Sequence, residues 1–454
     1  MCRVSPAPNP PENPAPEPSR HPAPEPASAN LVPEPVSEPA ARRPRRGLLA
    51  DVSPLREFPD FRRLWFGHSV SSLGQQMTAI AVAVQVYSLT GSNFSVGLVG
   101  LFSVVPLIVF GLLGGAIADS LDRRLVGLVT ALGLAGVSIL LAVQAFLDLD
   151  RVWPLYAAVA VQSAFFAVNN PARSSMLPRL LPADRLPAAN ALNSIAMALS
   201  MTVGPMLGGL VIGLWGFQAA YLIDALAFTA ALYAMWRLPS MRPVREQGAR
   251  RRASVREGLR FLRTRPNVRM TFLGDIVAMV FGMPRALFPA MAATLYGGGA
   301  TTVGLLVAAP AVGALAGGLF SGWLGHVQRQ GRAVVLAVIA WGTCIAAFGL
   351  GGPLWLGLFL LALAGCADTV SMVFRNTIMQ VATPDAMRGR LAGVFIVVVA
   401  GGPRLGDFEA GSMATLTDER TAVVGGGLAC VVLMVALSLR WRGFWRYDAR
   451  DPQP

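Results

Sequence analysis

The chain of 454 residues is 54% hydrophobic and only 14% charged, with a mean hydropathy of +0.53, which excludes a soluble domain with a wet, polar surface. Its 38 basic side chains, all arginine, outnumber 25 acidic ones, but they stand in short clusters between apolar runs. That distribution speaks for membrane topology signals and against a nucleic-acid-binding face.

From the N-terminus, residues 1–57 are dominated by Pro, Ala, Glu and Ser and lack the apolar content of a core, so a disordered cytoplasmic tail is expected, ending near the basic cluster Arg42, Arg43, Arg45 and Arg46. A membrane-spanning helix takes about 20 apolar residues. Such runs follow at 64–89, 95–118, 125–147, 154–169, 188–214 and 217–238, the first half (58–238). A basic cytoplasmic linker, 239–266, separates them from runs at 268–296, 301–323, 333–350, 354–374, 391–413 and 421–439, the second half (267–441), and 442–454 form a C-terminal tail. The expected fold is an all-α membrane protein of about twelve spanning helices in two pseudo-symmetric six-helix bundles.

Arginines divide unevenly between the two sets of loops. Arg123, Arg124, Arg173, Arg179, Arg185, the 245–265 stretch, Arg329, Arg332, Arg388, Arg390, Arg440, Arg442 and Arg446 lie on one side, and only Arg151 and Arg420 on the other. Cytoplasmic loops retain arginine, so both termini are expected in the cytoplasm of a bacterial inner membrane. Tryptophans agree, because Trp65, Trp153, Trp215, Trp236, Trp323, Trp355, Trp441 and Trp445 fall at segment ends, and Trp341 alone is mid-span. The halves also repeat: Pro59, Arg62 and Gly67 match Pro266, Arg269 and Gly274; Gly114, Gly115 and Arg124 match Gly317, Gly318 and Arg332; Arg173 and Pro182 match Arg375 and Pro384.

The loop after the second segment reads Gly115-Ala116-Ile117-Ala118-Asp119-Ser120-Leu121-Asp122-Arg123-Arg124, and it resembles the signature loop of the major facilitator superfamily. The resemblance implies a latch at the cytoplasmic face, with Gly115 allowing close helix contact and Asp119, Arg123 and Arg124 supplying charge; Ser120 and Asp122 depart from the usual basic residue and glycine. Plain topogenic charge is the simpler reading of the same residues. In the fifth segment Gly204-Pro205-Met206-Leu207-Gly208-Gly209 resembles the kinked motif of proton-coupled antiporters in that superfamily, proline removing a backbone donor and the glycines permitting tight packing. The longest likeness is to the enterobactin-exporter-like branch, carried by Asn170-Pro171-Ala172-Arg173, Pro284-Arg285-Ala286-Leu287-Phe288-Pro289, Thr377-Ile378-Met379-Gln380, Thr383-Pro384 and Arg388-Gly389-Arg390. It spans about 58–441 and implies a proton-driven exporter of siderophore-like or hydrophobic small molecules.

Ionisable residues inside spans are costly and mark candidate sites. They are Asp224 in the sixth segment, Asp275 and Arg285 in the seventh, Asp368 in the tenth, and Arg404, Asp407 and Glu409 in the eleventh. By the implied fold, the seventh, tenth and eleventh segments face a central cavity. Arg404 and Asp407 are three residues apart on one helix face, so Asp407 with Arg285 or Arg404 is the candidate proton-coupling site; a permanently paired structural ion pair is the competing reading. Gln75, Gln76 and Gln162 are candidate cavity-lining groups, although Gln75 and Gln76 point in different directions.

No Gly-x-x-x-x-Gly-Lys-Ser/Thr loop is present, which argues against ATP hydrolysis. Cys2, Cys344, Cys366 and Cys430 are widely spaced and His21, His68 and His326 lack ligand spacing, so no metal and no cofactor are expected. The expected partners are a small-molecule substrate, protons and the lipid bilayer, with the chain a monomer and no nucleic acid bound. An importer of a nutrient or siderophore is the alternative on the same fold. A non-transporting membrane sensor or enzyme is the alternative of another class, and clustered catalytic groups that would favour it are missing from the sequence.

Overall fold

A computed structural model of the chain describes residues 51–241 and 255–450, which form helices joined by short loops. The principal helices are α1 (Pro59–Thr90), α2 (Asn93–Ser120), α3 (Arg123–Phe146), α4 (Trp153–Ser174), α5 (Leu186–Arg237), α6 (Pro266–Phe281), α7 (Phe288–Thr294), α8 (Ala300–Leu319), α9 (Gln330–Gly349), α10 (Leu354–Val381), α11 (Asp385–Leu416) and α12 (Glu419–Arg440). Local chemistry sets their ends. Pro59 opens α1, where a missing N–H costs nothing, and Gly91 closes it in the left-handed conformation (φ 59°), its N–H donating to the Tyr87 carbonyl at 2.7 Å. Asp122 caps α3 by accepting from the Arg124 N–H, and Asp418 caps α12 by accepting from the Thr421 N–H.

Two departures from the apolar runs follow from backbone chemistry. The fifth and sixth runs form one continuous element, α5, whose two arms (186–215 and 217–237) meet at Gly216; its φ of 77° with ψ of −179° is open to glycine alone. Conversely, the seventh run, expected to be unbroken, divides. α6 stops at Gly282, a 3-10 turn covers Arg285–Leu287, and α7 restarts at Phe288, because Pro284 and Pro289 withhold two backbone donors within six residues. The freed Gly282 carbonyl accepts from the indole Nε1 of Trp341 at 3.0 Å, which explains a tryptophan at mid-span, 2% exposed.

Among the described residues, eight helices are long and apolar enough to cross a membrane, with α5 counted once and α6 with α7 counted as one. α1, α4 and α11 are as long but lie outside that set. They carry the polar residues His68, Gln75, Gln76, Asn169, Arg173, Arg404, Asp407 and Glu409. Outward faces elsewhere are apolar, with Leu132, Leu140, Leu226, Val432 and Leu439 more than half exposed, the pattern of a lipid-facing girdle. Arginines stack on aromatic rings at helix ends: Arg237 on Trp236, Arg269 on Trp441 and Arg332 on Trp445.

Within 59–237, α1 and α3 pack on α5, and α2 and α3 on α4; within 266–440, α6 packs on α11, α8 and α9 on α10, and α9 on α12. α1 touches α7 and α8, and α2 the 285–287 turn, but the two largest contacts that join these groups are α2 with α11 and α5 with α8. Both rest on absent side chains. A Cβ on Gly97 would come to 2.9 Å from the Asp407 carbonyl, and a Cβ on Gly304 would strike the Pro205 carbonyl.

The expected tails are shorter than their composition suggests. Residues 1–50 and 242–254 lie outside the described residues, but Ser53–Glu57 form a helical turn anchored by Arg185, which donates to Ser53 Oγ at 2.6 Å and pairs with Glu57 at 3.0 Å. In the linker, Val255–Thr264 is a helix. At the C-terminus the expected tail folds back: Phe444 and Tyr447 are buried, and the Ala449 N–H donates to the Gln328 carbonyl.

Candidate functional site

The break between α6 and α7 places a charge where an unbroken helix would bury only apolar groups. Arg285 begins the 3-10 turn and is exposed, not sealed in the core. From α11, Asp407 faces it: the carboxylate lies within electrostatic reach of both Arg285 and Arg404 and is met by the Ala286 backbone amide. Its Oδ1 is buried without a hydrogen-bond partner, and among the described residues no ion pair joins it to either arginine. An unpaired carboxylate oxygen facing two guanidinium groups is a poised arrangement, because a small movement or a proton changes its charge balance.

Arg404 turns the other way. Its Nε donates to Ser103 Oγ on α2 at 2.9 Å and its Nη1 to the Ala400 carbonyl at 2.6 Å. Ser103 Oγ in turn lies 2.7 Å from Ser163 Oγ on α4. A hydrogen-bonded path therefore runs from α11 through α2 to α4, across the same α2–α11 contact that the glycines tighten.

Asp275 and Asp368 belong to a neighbouring cluster. Arg375 on α10 pairs with Asp275 on α6 and lies 3.4 Å from Asp368; the Arg375 and Asp275 side chains are 9% and 10% exposed and that of Asp368 30%. Arg285 is also within electrostatic reach of Asp368. The charged residues consequently alternate in sign, Asp275, Arg375, Asp368, Arg285, Asp407 and Arg404, each within electrostatic reach of the next. Glu409 stands two residues past Asp407, on another face of α11, half-buried and without an ion pair among the described residues.

The remaining sequence candidates separate. Gln75 lines a small cavity between α1, α3, α4 and the second arm of α5, whereas Gln76 packs its Cβ near Gly204. Gln162 is half-buried beside Ser163. The φ/ψ angles stay helical through Gly204, Pro205, Gly208 and Gly209, and the glycines admit α1 and α8, Gly208 against Met77 and Gly209 against Ala300. Of the signature loop, the surroundings of Gly115 and the side chain of Asp119 lie outside the described residues. Arg123 donates to the Ser175 carbonyl, and Arg124 to those of Met235 and Trp236, tying α3 to the ends of α4 and α5. Asp224, fully buried, accepts from Thr78 and Ser138 at 2.7 Å each.

Two contributors escaped the sequence reading. Ser103 sits in an apolar run where a neutral hydroxyl carries no signal. Arg375 was visible only as a repeat match at a segment end, and α10 runs about two further turns beyond the expected limit of 374, which brings Arg375 inside.

Among known proteins, the family described as transmembrane secretion effector matches residues 49–451. The enterobactin exporter EntS of Citrobacter koseri is 29% identical over 400 residues, 87% of this chain and 95% of that protein; EntS of Escherichia coli O1:K1 is 28% identical over 412 residues, 90% and 98%. Among solved structures, the nucleoside transporter NupG superposes with a TM-score of 0.66 at 14% identity, covering 86% of this chain and 99% of that one. A bacterial homologue of the iron transporter ferroportin, in an inward-facing state, gives 0.63 at 16% identity, covering 84% and 98%.

Proposed function

The chain belongs to the transmembrane secretion effector family of major facilitator transporters, and from that premise we propose that it exports a small amphipathic molecule of the siderophore or hydrophobic-drug class in exchange for protons. The observation that carries this reading is the Asp407 carboxylate, held at the broken helix between Arg285 and Arg404 without a closed ion pair. When Asp407 is charged it balances the two arginines and keeps Arg404 directed to Ser103, which holds α11 against α2. The charged carboxylate also accepts from the hydroxyl groups of a cargo such as a catechol; when it takes up a proton that acceptor is lost, the cargo is released and the α2–α11 contact loosens. Proton and cargo thus compete for the same carboxylate, which is the physical content of exchange.

Twelve crossings follow in this reading when the two arms of α5 count separately and α6 with α7 together, adding α1, α4 and α11 to the apolar set. The groups 59–237 and 266–440 act as two bundles that rock about the α2–α11 and α5–α8 contacts, alternating access to a midplane site at a discontinuous helix. Both termini lie on the arginine-rich, cytoplasmic side of a bacterial inner membrane, and the chain works as a monomer. The EntS relatives, named as enterobactin exporters, support a cargo of that chemistry.

The test is accumulation of a catecholate siderophore and a panel of hydrophobic fluorescent dyes in cells with and without the protein, each with and without a protonophore. Lower accumulation that the protonophore and Asp407→Asn each abolish is the expected result. Unchanged accumulation across the panel in cells that carry the protein in their membrane would refute the reading.

A further inference from the structure

The internal repeat overlays two sets of three residues whose charges have diverged. The offset that matches Arg62 and Gly67 to Arg269 and Gly274 also matches His68 to Asp275; the offset that matches Arg173 to Arg375 also matches Phe166 to Asp368. In the second copy the three residues close on one another, Arg375 held by Asp275 and flanked by Asp368. In the first copy the equivalent three also meet. His68, Phe166 and Arg173 line one cavity of about 50 Å³ between α1, α3, α4 and the second arm of α5, together with the amides of Gln75, Asn169 and Asn170.

Both carboxylates of the second copy are therefore missing from the first, and nothing among the described residues takes their place. Arg173 lies within electrostatic reach of His68 but makes no hydrogen bond or ion pair among the described residues. Arginine does not shed its proton to escape burial, and an uncompensated cation in a membrane-embedded bundle is strongly unfavourable. The last turn of α4, where Arg173 sits, offers only partial compensation from its carbonyl ends. A second orphan adjoins it: the Asn169 side-chain oxygen is buried without a partner, and the same amide turned over would present its NH₂ to the cavity.

We propose that this cavity binds a small monovalent anion of chloride size, held by the Arg173 guanidinium and the side-chain N–H groups of Gln75, Asn169 and Asn170. The volume supports that class. One water needs roughly 10–15 Å³ on this measure, so the cavity admits a halide with one or two waters and excludes a lipid headgroup or an aromatic cargo. The anion does in the first copy what Asp275 and Asp368 do in the second: it neutralises the arginine and locks α4 to α1. The site is separate from Asp407, and its occupation is independent of what the protein transports.

The experiment measures the melting temperature of the full-length protein in lipid nanodiscs, in sodium chloride against sodium gluconate at equal ionic strength. Chloride is expected to raise it by several degrees in a saturable manner, and gluconate, too large for the cavity, not to. Phe166→Asp supplies the carboxylate of the second copy and is expected to melt at the chloride-saturated temperature in both salts. Arg173→Gln is expected to lose the chloride increment. Equal melting of the unaltered protein in the two salts overturns the proposal, as does a chloride increment that persists in Phe166→Asp. If neither variant folds, the salt comparison on the unaltered protein decides alone.

Discussion

Arg375→Met separates a static ion pair from a switching one. It removes the only cation in contact with Asp275 among the described residues; the Asp275 side chain is 10% exposed and its Oδ2 already lacks a partner. Breaking a buried pair from one side leaves an unpaired charge and costs about 3–5 kcal/mol. Asp368, 30% exposed and 3.4 Å away, is better solvated and adds little to that figure. Replacing both partners, Arg375→Met with Asp275→Leu, exchanges a buried pair for apolar groups and should recover most of the loss, since such exchanges are often neutral or favourable. The assay is a double-mutant cycle on melting temperature in detergent, with membrane insertion checked for each variant. A single variant that loses no more than about 1 kcal/mol, the worth of an exposed pair, would refute the assignment of Asp275 and Arg375 to a structural role. It would also return Asp275 to the list of proton carriers alongside Asp407.

Three further outcomes follow from the same geometry. Gly304→Leu places a side chain against the Pro205 carbonyl of α5; overpacking costs about 1–3 kcal/mol, so the state in which α5 and α8 touch should become about five- to 150-fold less populated, measurable by cross-linking cysteines placed on the two helices. Trp341→Phe strands the Gly282 carbonyl at the broken helix and should cost about 1–3 kcal/mol, read as a lower melting temperature with the α6–α7 break unchanged. Asp418 lies at the α12 N-terminus outside the spans, where the backbone N–H of Thr421 and then its hydroxyl hold the carboxyl below its ordinary value of 3.8. A depressed acid stabilises above its unfolded value and loses that contribution as pH falls through the folded one. The deficit of Asp418→Ala should therefore be constant above about pH 4 and fade below it; a deficit that grows on acidification would contradict the cap.

Much of the architecture was legible in composition because lipid imposes a simple rule: every backbone donor and acceptor must be paired within the segment, so long apolar runs become helices. Eleven of the expected runs coincide with helical stretches of the structure, and the twelfth, 268–296, was misread only in being continuous. Pro284 and Pro289 were in view, but proline in a membrane helix is common enough that a break could not be distinguished from a tolerated kink. At the site, charged residues were visible because charge is rare in lipid, and Asp407, Arg285 and Arg404 were grouped for that reason. Ser103 was not, because a hydroxyl within an apolar run is indistinguishable from packing until a partner is known; Trp341 stood out as the one mid-span tryptophan, but its partner, the Gly282 carbonyl, did not.

The class of the molecule, its helical segments, its repeat and the short roster of intramembrane charges each depend on hydrophobicity, spacing or charge along one segment at a time, and so can be read from the residues in order. Which charges are paired emerges only when the helices pack. Asp275 found Arg375, a hundred residues away; Asp407 was left between two arginines; Gln75 and Gln76, neighbours in the chain, were sent to a cavity and to a glycine contact. Those assignments depend on helix rotation and on contacts between helices far apart in the chain, and electrostatic pairing falls off over a few ångströms, a scale at which linear order carries no information.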